Sequence, residues 1–349
     1  MNITTSKAIV MERPLQASYR DIALTEITPD TIICRTTMSA ISSGTDMKTW
    51  RGEQHPEQCW YPLVPGYENV GIVEHIGTEA KTDLNIGDRV MINEVREFGD
   101  VCAAWGGSVK YAIKNSKTAP SPFDYLVKIP DNVSDQDAVL GYLACVSLKG
   151  ARRFKFVDNE TILVTGAGMI GISAVQILKI LNPTATVICI DRSAYRCEIA
   201  KHYADHVFLA DGSEVEKIAA LTDDKMVDKL MECTGNAAIV GTLHKYIKSG
   251  GWVKNEEPAH IHLQGDYPEP ITMDHWHRWF VKNCTITMTC ALAPGCKEQI
   301  LQWLSEGKFN TTHLPVELWS VEKCQAAFDY KATQGEAVFK VLFNWEDEK

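Results

Sequence analysis

A glycine-rich turn between an apolar strand and an apolar helix limits the folds open to this chain more than any other feature. Residues 165–171 read Thr-Gly-Ala-Gly-Met-Ile-Gly, a G-x-G-x-x-G pattern. The first glycine permits a tight turn, the second lets the backbone approach a pyrophosphate, and the third lets the helix pack closely on the strand. The N–H groups at the start of the helix also attract phosphate. The predicted cofactor-binding residues of this turn are Gly166, Gly168, Met169, Ile170 and Gly171.

An acidic side chain after the next strand indicates which dinucleotide binds. Asp191 lies twenty residues beyond Gly171, where a carboxylate accepts hydrogen bonds from the adenosine ribose. The same charge repels a 2′-phosphate, so we expect NAD, with NADP the less favoured cofactor. The positive charge of the adjacent Arg192 opposes this preference in part. The alternative interpretation is an ordinary strand–helix turn beside an unrelated acid.

The pattern of apolar residues divides the chain into two parts. The first part contains short β-branched runs separated by turn signals such as Gly87-Asp88 and Gly106-Gly107, which is typical of a β-rich domain. From residue 161 onward, strand and helix patterns alternate, which indicates βαβ units and a parallel sheet. The sequence therefore predicts an α/β chain in which a β-rich domain accompanies a doubly wound parallel sheet.

Composition and charge exclude several other classes of protein. Of the 349 residues, 45% are hydrophobic and 23% are charged, which excludes an intrinsically disordered chain. Acidic residues outnumber basic ones by 45 to 35, and the net charge of −10 argues against nucleic-acid binding. Residues 162–181 are apolar enough to span a bilayer, but they contain the glycine turn, so we expect no membrane segment. The expected partner is a small-molecule substrate.

The cysteines are interpreted as reduced thiols of a cytoplasmic protein. There are eleven, an odd number, and no pair has the C-x-x-C spacing of a structural zinc site. The first fifteen residues lack the apolar core of a signal peptide. Most of the thiols are therefore expected to pack as small hydrophobic groups.

Five short motifs resemble those of the medium-chain dehydrogenase/reductase superfamily, the relatives of zinc alcohol dehydrogenases. They are Ser-Gly-Thr-Asp at 43–46, Pro-Gly-Tyr-Glu-Asn-Val-Gly at 65–71, Gly-Asp-Arg-Val at 87–90, Gly-Gly-Ser-Val-Lys-Tyr at 106–111 and Glu-Cys-Thr-Gly at 232–235. The resemblance implies a GroES-like catalytic domain formed by residues 1–153 and 291–349, and a Rossmann domain at residues 154–290. It also implies that Thr234 and Gly235 contact the cofactor. It further implies a homodimer in which residues 284–290 pair edge to edge.

The chain departs from the superfamily at the positions that hold catalytic zinc. Ser43 stands at the cysteine position, Tyr67 at the histidine position and Tyr142 at the third position, and these side chains cannot replace thiolate, imidazole and carboxylate. The four-cysteine structural zinc lobe is also absent, since only Cys102 lies between residues 90 and 109. We therefore expect no zinc and no metal-ligating residues. Residues 41–46 and 61–68 look most like the bacteriochlorophyllide a dehydrogenase branch.

The resemblance implies an NAD-dependent oxidoreductase that interconverts a secondary alcohol and a ketone on a small or mid-sized metabolite, in a biosynthetic role. Without zinc, general acid–base side chains must handle the proton. We predict that Tyr67 bonds the reacting oxygen, that Lys48 lowers its pKa, and that Thr45 or Ser43 carries the proton onward. The alternatives are that Tyr67 only fills space, that the chain is a quinone- or enone-reductase-like enzyme, or that it binds a dinucleotide without catalysis.

Overall fold

A computed structural model describes residues 3–346 of the chain except 56, 58, 96–97, 116–124, 251, 254–256, 268 and 274. The chain divides into two compact units. Unit 1 consists of Met1–Tyr142 together with Lys297–Lys349, and unit 2 is Leu143–Cys296. The divisions therefore lie at residues 142/143 and 296/297, whereas the sequence places the domain boundaries after residues 153 and 290.

The strands and helices follow one another as expected for a β-rich segment, an alternating segment and a short return. The strands are β1 (Thr5–Arg13), β2 (Gln16–Ala23), β3 (Thr31–Ile41), β4 (Leu63–Val64), β5 (Glu68–Ile76), β6 (Arg89–Met91), β7 (Cys102–Ala103), β8 (Tyr111–Asn115), β9 (Val127–Lys128), β10 (Thr161–Thr165), β11 (Thr186–Asp191), β12 (His206–Leu209), β13 (Lys229–Glu232), β14 (His260–Leu263), β15 (Thr285–Met288), β16 (Val316–Ser320) and β17 (Lys340–Asn344). The α-helices are α1 (Thr45–Trp50), α2 (Asp135–Ala151), α3 (Met169–Leu181), α4 (Ala194–Ala200), α5 (Glu214–Leu221), α6 (Ala237–Val240), α7 (Trp276–Phe280), α8 (Cys296–Ser305) and α9 (Cys324–Gln334). Short 3-10 helices lie at Leu243–Lys245, Val321–Lys323 and Gly335–Ala337.

Unit 1 contains two sheets, with strand orders β2-β1-β4-β7 and β16-β17-β3-β5-β6-β9, and β8 also pairs with β3. The return segment completes the second sheet, because β17 pairs antiparallel with β3 and β16 lies parallel to β17. A core cluster joins the two ends of the chain. Within it the rings of Trp50 and Phe328 stack at a centroid distance of 5.0 Å, and Phe343 packs beside them.

Unit 2 contains one parallel sheet of six strands in the order β12-β11-β10-β13-β14-β15. Counted within the unit this is 3-2-1-4-5-6, the order of the dinucleotide-binding doubly wound fold. The central strands are buried along nearly their whole length, and Leu163, Ile188, Leu230 and Ile261 form the core on one face. Continuous apolar strands are expected where both faces of a parallel sheet are covered. The predicted Rossmann domain is thus confirmed.

The apolar run at residues 162–181 becomes β10, the glycine turn and α3. Helix α3 is buried on nearly every side from Ile172 to Leu178, which explains why its hydropathy resembles that of a membrane span. Among the described residues, no helix has the length and apolar character needed to cross a membrane.

Candidate cofactor site and active site

The glycine turn of unit 2 has the backbone geometry that its sequence predicts. Gly166 has φ of +89°, and its N–H donates to the Ile190 carbonyl at 2.8 Å. A Cβ on Gly171 would lie 1.7 Å from the Gly166 carbonyl oxygen, so no side chain fits there. Gly168 caps α3 without a side-chain hydrogen bond, and a Cβ on it would meet nothing closer than Arg196 Nη1 at 3.9 Å. The start of α3, at Met169, is therefore uncapped by side chains and suited to a phosphate.

Asp191 ties the glycine turn to the loop after β11. Its Oδ2 accepts from the Ala167 N–H at 2.6 Å, and its Oδ1 accepts from the Ser193 N–H at 2.8 Å. The carboxylate therefore lies at the carboxyl end of the sheet beside the turn, where doubly wound folds place an acid that can contact a ribose. The neighbouring Arg192 is exposed.

Arg196 is a functional candidate that the sequence analysis missed. It lies in the first turn of α4, its guanidinium approaches Gly168, and its Nε is buried with no hydrogen-bond partner among the described residues. A buried donor without an acceptor is costly, so an anionic ligand at the turn would satisfy it. The sequence feature that could have identified Arg196 is its position, five residues after Asp191 and at the start of a helix.

Thr234 and Gly235 lie against the glycine turn. A Cβ on Gly166 would come 3.0 Å from Thr234 Cγ2 and 3.1 Å from Thr234 N. Gly235 has φ of +68°, a left-handed conformation that a glycine adopts without strain. The backbones that follow β10 and β13 are therefore in close contact.

Three hydroxyl groups form a chain in unit 1. Ser42 directly follows β3, Thr45 begins α1, and Tyr67 directly precedes β5. The Ser42 and Tyr67 hydroxyl oxygens are 2.7 Å apart, and the Tyr67 hydroxyl donates to Thr45 Oγ1 at 3.1 Å. Since a phenol has one proton, Ser42 donates to Tyr67. The rings of Tyr142 and Trp105 pack against Tyr67 at centroid distances of 5.3 and 6.1 Å and fix its orientation.

Two buried carboxylates lie in the same part of unit 1. Asp46 accepts from the N–H groups of Ser42 at 2.8 Å and Gly66 at 3.1 Å, and burial raises its pKa to about 7. Both oxygens of Glu68 lie 2.7 Å from Lys340 Nζ, and both side chains are fully buried. Burial raises the pKa of Glu68, and the charge of Lys340 opposes that shift.

The expected effect of Lys48 on Tyr67 is wrong. Burial raises the pKa of Tyr67 above its ordinary value, and the negative charges of Glu68 and Asp46 raise it further. Both effects hold the pKa of Tyr67 above its ordinary value and so favour the neutral phenol. Tyr67 can therefore donate and accept hydrogen bonds but does not act as a phenolate.

The structure brings together only part of the predicted catalytic set. Tyr67 and Thr45 are directly bonded. Ser43 is exposed, and the preceding Ser42 contacts Tyr67 in its place. Lys48 lies half-buried on α1. The turn after β3 therefore points one serine inward and the next outward, which the sequence pattern did not distinguish.

Comparison with known families matches both parts of the chain. Residues 28–131 match the alcohol dehydrogenase GroES-like domain, and residues 170–254 match the zinc-binding dehydrogenase family. The two matches lie in unit 1 and unit 2 respectively. The predicted GroES-like domain is thus confirmed.

Individual proteins agree with this assignment. An uncharacterized zinc-type alcohol dehydrogenase-like protein of Haemophilus influenzae is 25% identical over 327 residues, which is 88% of this chain and 90% of the relative. Sorbitol dehydrogenase of Bacillus subtilis is 23% identical over 346 residues, covering 93% and 92%. A solved short chain alcohol dehydrogenase from Escherichia coli CFT073, complexed with NADH, has a TM-score of 0.80 at 22% identity and covers 98% and 100%. The chain belongs to the medium-chain dehydrogenase/reductase superfamily and is an oxidoreductase.

The prediction of a protein without zinc is contradicted by these comparisons. The family that matches residues 170–254 is one of zinc-binding dehydrogenases, and the H. influenzae relative is of the zinc type. The prediction rested on the side chains at the three aligned positions and on the absence of the four-cysteine lobe, and buried carboxylates lie nearby at Asp46 and Glu68. Among the described residues, however, no three His, Cys, Asp or Glu side chains are grouped as a metal site. The donor set described here does not fit zinc, so we assign no ligand and derive no step through the metal.

Proposed function

We propose that the protein is an NAD-dependent oxidoreductase that interconverts a secondary alcohol and a ketone on a small or mid-sized metabolite, in a biosynthetic role. The observation that carries the proposal is the turn at Gly166–Gly171 with the Asp191 carboxylate bonded to it. The similarity to sorbitol dehydrogenase, whose name denotes oxidation of a polyol, supports a secondary alcohol. The likeness of residues 41–46 and 61–68 to the bacteriochlorophyllide a dehydrogenase branch supports testing bulky ring-bearing alcohols as well.

The residues of unit 2 fit a dinucleotide. We propose that the N–H groups of the glycine turn and the Arg196 guanidinium hold the pyrophosphate, and that Asp191 holds the adenosine ribose. The proposed cofactor contacts are Gly166, Gly168, Met169, Ile170, Gly171, Asp191, Arg192, Arg196, Thr234 and Gly235. When bound, NAD accepts a hydride from the carbon that carries the hydroxyl.

The hydroxyl chain of unit 1 is proposed to move the proton. During alcohol oxidation the substrate hydroxyl would donate its proton to the Tyr67 oxygen while Tyr67 passes its own proton to Thr45 Oγ1, and Thr45 would release its original hydroxyl proton toward solvent. The phenol then stays neutral throughout, which suits its raised pKa. Ser42 donates to Tyr67 and holds its oxygen in place, and the exposed Ser43 offers an exit to solvent.

We expect the wild-type protein to bind NADH more tightly than NADPH and to oxidise a subset of secondary alcohols with release of NADH. The measurement is a fluorescence titration with each cofactor, followed by turnover on a panel of polyols, ring-bearing secondary alcohols, ketones and α,β-unsaturated ketones. Gly171→Val is the negative control, since its side chain would collide with the Gly166 carbonyl and abolish NADH binding.

Each of the other outcomes would assign the protein a different function or refute one part of the proposal. NADH binding without turnover on any substrate would identify a binding module. Preferential reduction of the unsaturated ketones would identify the reductase alternative. Tighter binding of NADPH would refute the role given to Asp191, and full NADH affinity in Gly171→Val would refute the placement of the cofactor.

We also propose a cytoplasmic homodimer. All eleven cysteines are free, which suits a reducing compartment. Strand β15 ends the sheet of unit 2, and its Ile286 and Met288 side chains are 38% and 67% exposed. An edge strand with exposed apolar side chains favours pairing with another edge.

We expect light scattering after gel filtration to give twice the chain mass of 38.9 kDa. Ile286→Lys/Met288→Lys should shift the protein to monomer, because charges on the edge oppose pairing. The matched control is Leu318→Lys, which places the same charge on the exposed edge strand β16 and should leave the dimer intact. A wild-type monomer, or equal dissociation in the control, would refute the interface.

A further inference from the structure

Glu232 is a buried carboxylate that the proposed chemistry does not use. It ends β13 and is completely shielded from solvent. Its Oε1 accepts from the Thr234 N–H at 2.7 Å, from the Thr234 hydroxyl and, at 3.5 Å, from the Thr165 hydroxyl. Its Oε2 accepts from the Tyr267 hydroxyl. Burying a charge is costly unless it is well hydrogen-bonded, so these neutral donors stabilise the buried Glu232 carboxylate.

The four residues, which we call the Glu232 network, come from three neighbouring loops. Thr165 ends β10, Glu232 and Thr234 lie where β13 ends, and Tyr267 lies in the loop that follows β14. These strands are adjacent in the sheet in the order β10-β13-β14. The network therefore spans the carboxyl edge of the sheet, where doubly wound folds bind their ligands.

The backbones of these loops are packed too closely for side chains. A Cβ on Gly265 would lie 2.7 Å from Gly235 Cα, and a Cβ on Gly166 would lie 3.1 Å from Thr234 N. The loops thus touch through glycines, and glycines alone supply little conformational restraint. The hydrogen bonds to Glu232 supply the restraint that the glycines lack.

The Glu232 network belongs to one half of the nucleotide fold. A doubly wound sheet consists of two mononucleotide-binding halves. In this chain Asp191 serves the half on the β10–β11 side through bonds to Ala167 and Ser193. On the other side, Thr234 in the loop after β13 and Tyr267 in the loop after β14 both donate hydrogen bonds to Glu232. Burial, and the Glu232 charge after it, raise the pKa of Tyr267, so its hydroxyl remains a donor.

We propose that Glu232 and Tyr267 are positioning residues that hold the loops after β13 and β14 in the arrangement needed by the nicotinamide half of the cofactor. The proposal rests on the proposed NAD-dependent function. It makes a specific claim: loss of a bond to Glu232 weakens the binding of whole NADH but not the binding of a ligand that occupies only the adenosine half.

The test compares NADH with ADP as ligands of the full-length protein, by calorimetry, in two variants. Tyr267→Phe removes one donor, and Glu232→Gln replaces the acceptor while keeping its shape. We expect the Kd for NADH and the KM for NAD to rise about tenfold or more in each, the usual effect of leaving a buried polar group unsatisfied. The Kd for ADP should change less than about twofold.

Tyr246→Phe is the matched control. The Tyr246 hydroxyl donates to Glu214 Oε1 at 2.9 Å in the same unit, so this variant removes the same kind of bond without touching the loops after β13 and β14. It should lower the melting temperature and leave both affinities unchanged. A variant of Tyr267 or Glu232 that weakens NADH and ADP equally, or weakens neither, overturns the positioning role.

The outcomes also separate this inference from the proposed function. A wild-type protein that binds ADP but not NADH contradicts the NAD-dependent function, and the positioning role falls with it. A wild-type protein that binds NADH, together with unchanged Tyr267→Phe and Glu232→Gln variants, contradicts the positioning role alone. If Tyr267→Phe does not fold, the isosteric Glu232→Gln variant decides the question by the same comparison.

Discussion

Replacing Tyr67 by Phe is expected to lower kcat in both reaction directions by about 100- to 10,000-fold, the range typical of a lost general acid–base group. The substitution removes the hydroxyl that joins Ser42 to Thr45 and leaves the ring in place. Contacts of the ring with Tyr142 and Trp105 should therefore persist. The affinity for NADH should not change, because no cofactor-binding residue of unit 2 is altered.

The measurement is steady-state kinetics on the best alcohol and ketone pair, together with an NADH titration. Tyr330→Phe is the control in the same unit, since it removes a hydroxyl that bonds Glu317 at 3.4 Å and leaves the Ser42–Tyr67–Thr45 chain intact. Its kcat should stay at the wild-type value. Full turnover in Tyr67→Phe with intact NADH binding would show that Tyr67 only fills space.

Thr45→Val gives the proposed proton path a second test. It removes the acceptor of the Tyr67 proton while preserving side-chain shape, so kcat should fall in the same direction as in Tyr67→Phe. The two effects should be far from additive in the double variant, because both substitutions interrupt one path. Additive losses would instead assign the two hydroxyls independent roles.

The parts of the fold that the sequence predicted correctly are governed by local rules. The glycine turn depends on six neighbouring residues and on steric exclusion at Gly171, which a pattern can reveal. The alternation of strands and helices likewise predicted the parallel sheet. The sequence pattern of residues 237–247 predicts one continuous helix, and the structure contains a shorter one. It ends at Val240, and a 3-10 turn at Leu243–Lys245 replaces its last part.

The features that the sequence did not predict depend on burial or on distant partners. The raised pKa of Tyr67 follows from shielding by the surrounding fold, whereas the prediction considered only the nearby charge of Lys48. The bond between Tyr267 and Glu232 joins residues 35 positions apart, and no spacing rule indicates it. The zinc prediction rested on residue types at aligned positions, and the match of residues 170–254 to a zinc-binding dehydrogenase family contradicts it.

The pair formed by Lys340 and Glu68 provides the largest expected effect on stability. Lys340→Met should lower the free energy of unfolding of unit 1 by about 3–5 kcal/mol, because it leaves the Glu68 carboxylate buried without its partner. The two residues lie 272 positions apart, on β17 and β5, so the pair also joins the return segment to the first part of the chain. Urea unfolding followed by tryptophan fluorescence measures the change.

The pH dependence of that loss identifies its cause. Burial raises the pKa of Glu68 in the folded state, and removing Lys340 removes the charge that opposes this shift. A carboxyl group whose folded pKa is raised binds a proton more readily when folded, so its unfavourable contribution grows as the pH rises above the unfolded value. The loss in Lys340→Met should therefore be larger at pH 8 than at pH 5.

Lys331→Met is the control, because it shows how much stability is lost when a buried lysine other than Lys340 is removed. The Lys331 ammonium donates to the carbonyls of Val338 and Phe339, which are neutral acceptors. Its stability loss should be smaller and equal at both pH values. Glu68→Leu/Lys340→Met should recover most of the stability, because an apolar pair of similar volume replaces the ion pair. A loss below about 1 kcal/mol in Lys340→Met, or one independent of pH, would show that the Glu68 carboxyl is already neutral in the folded protein.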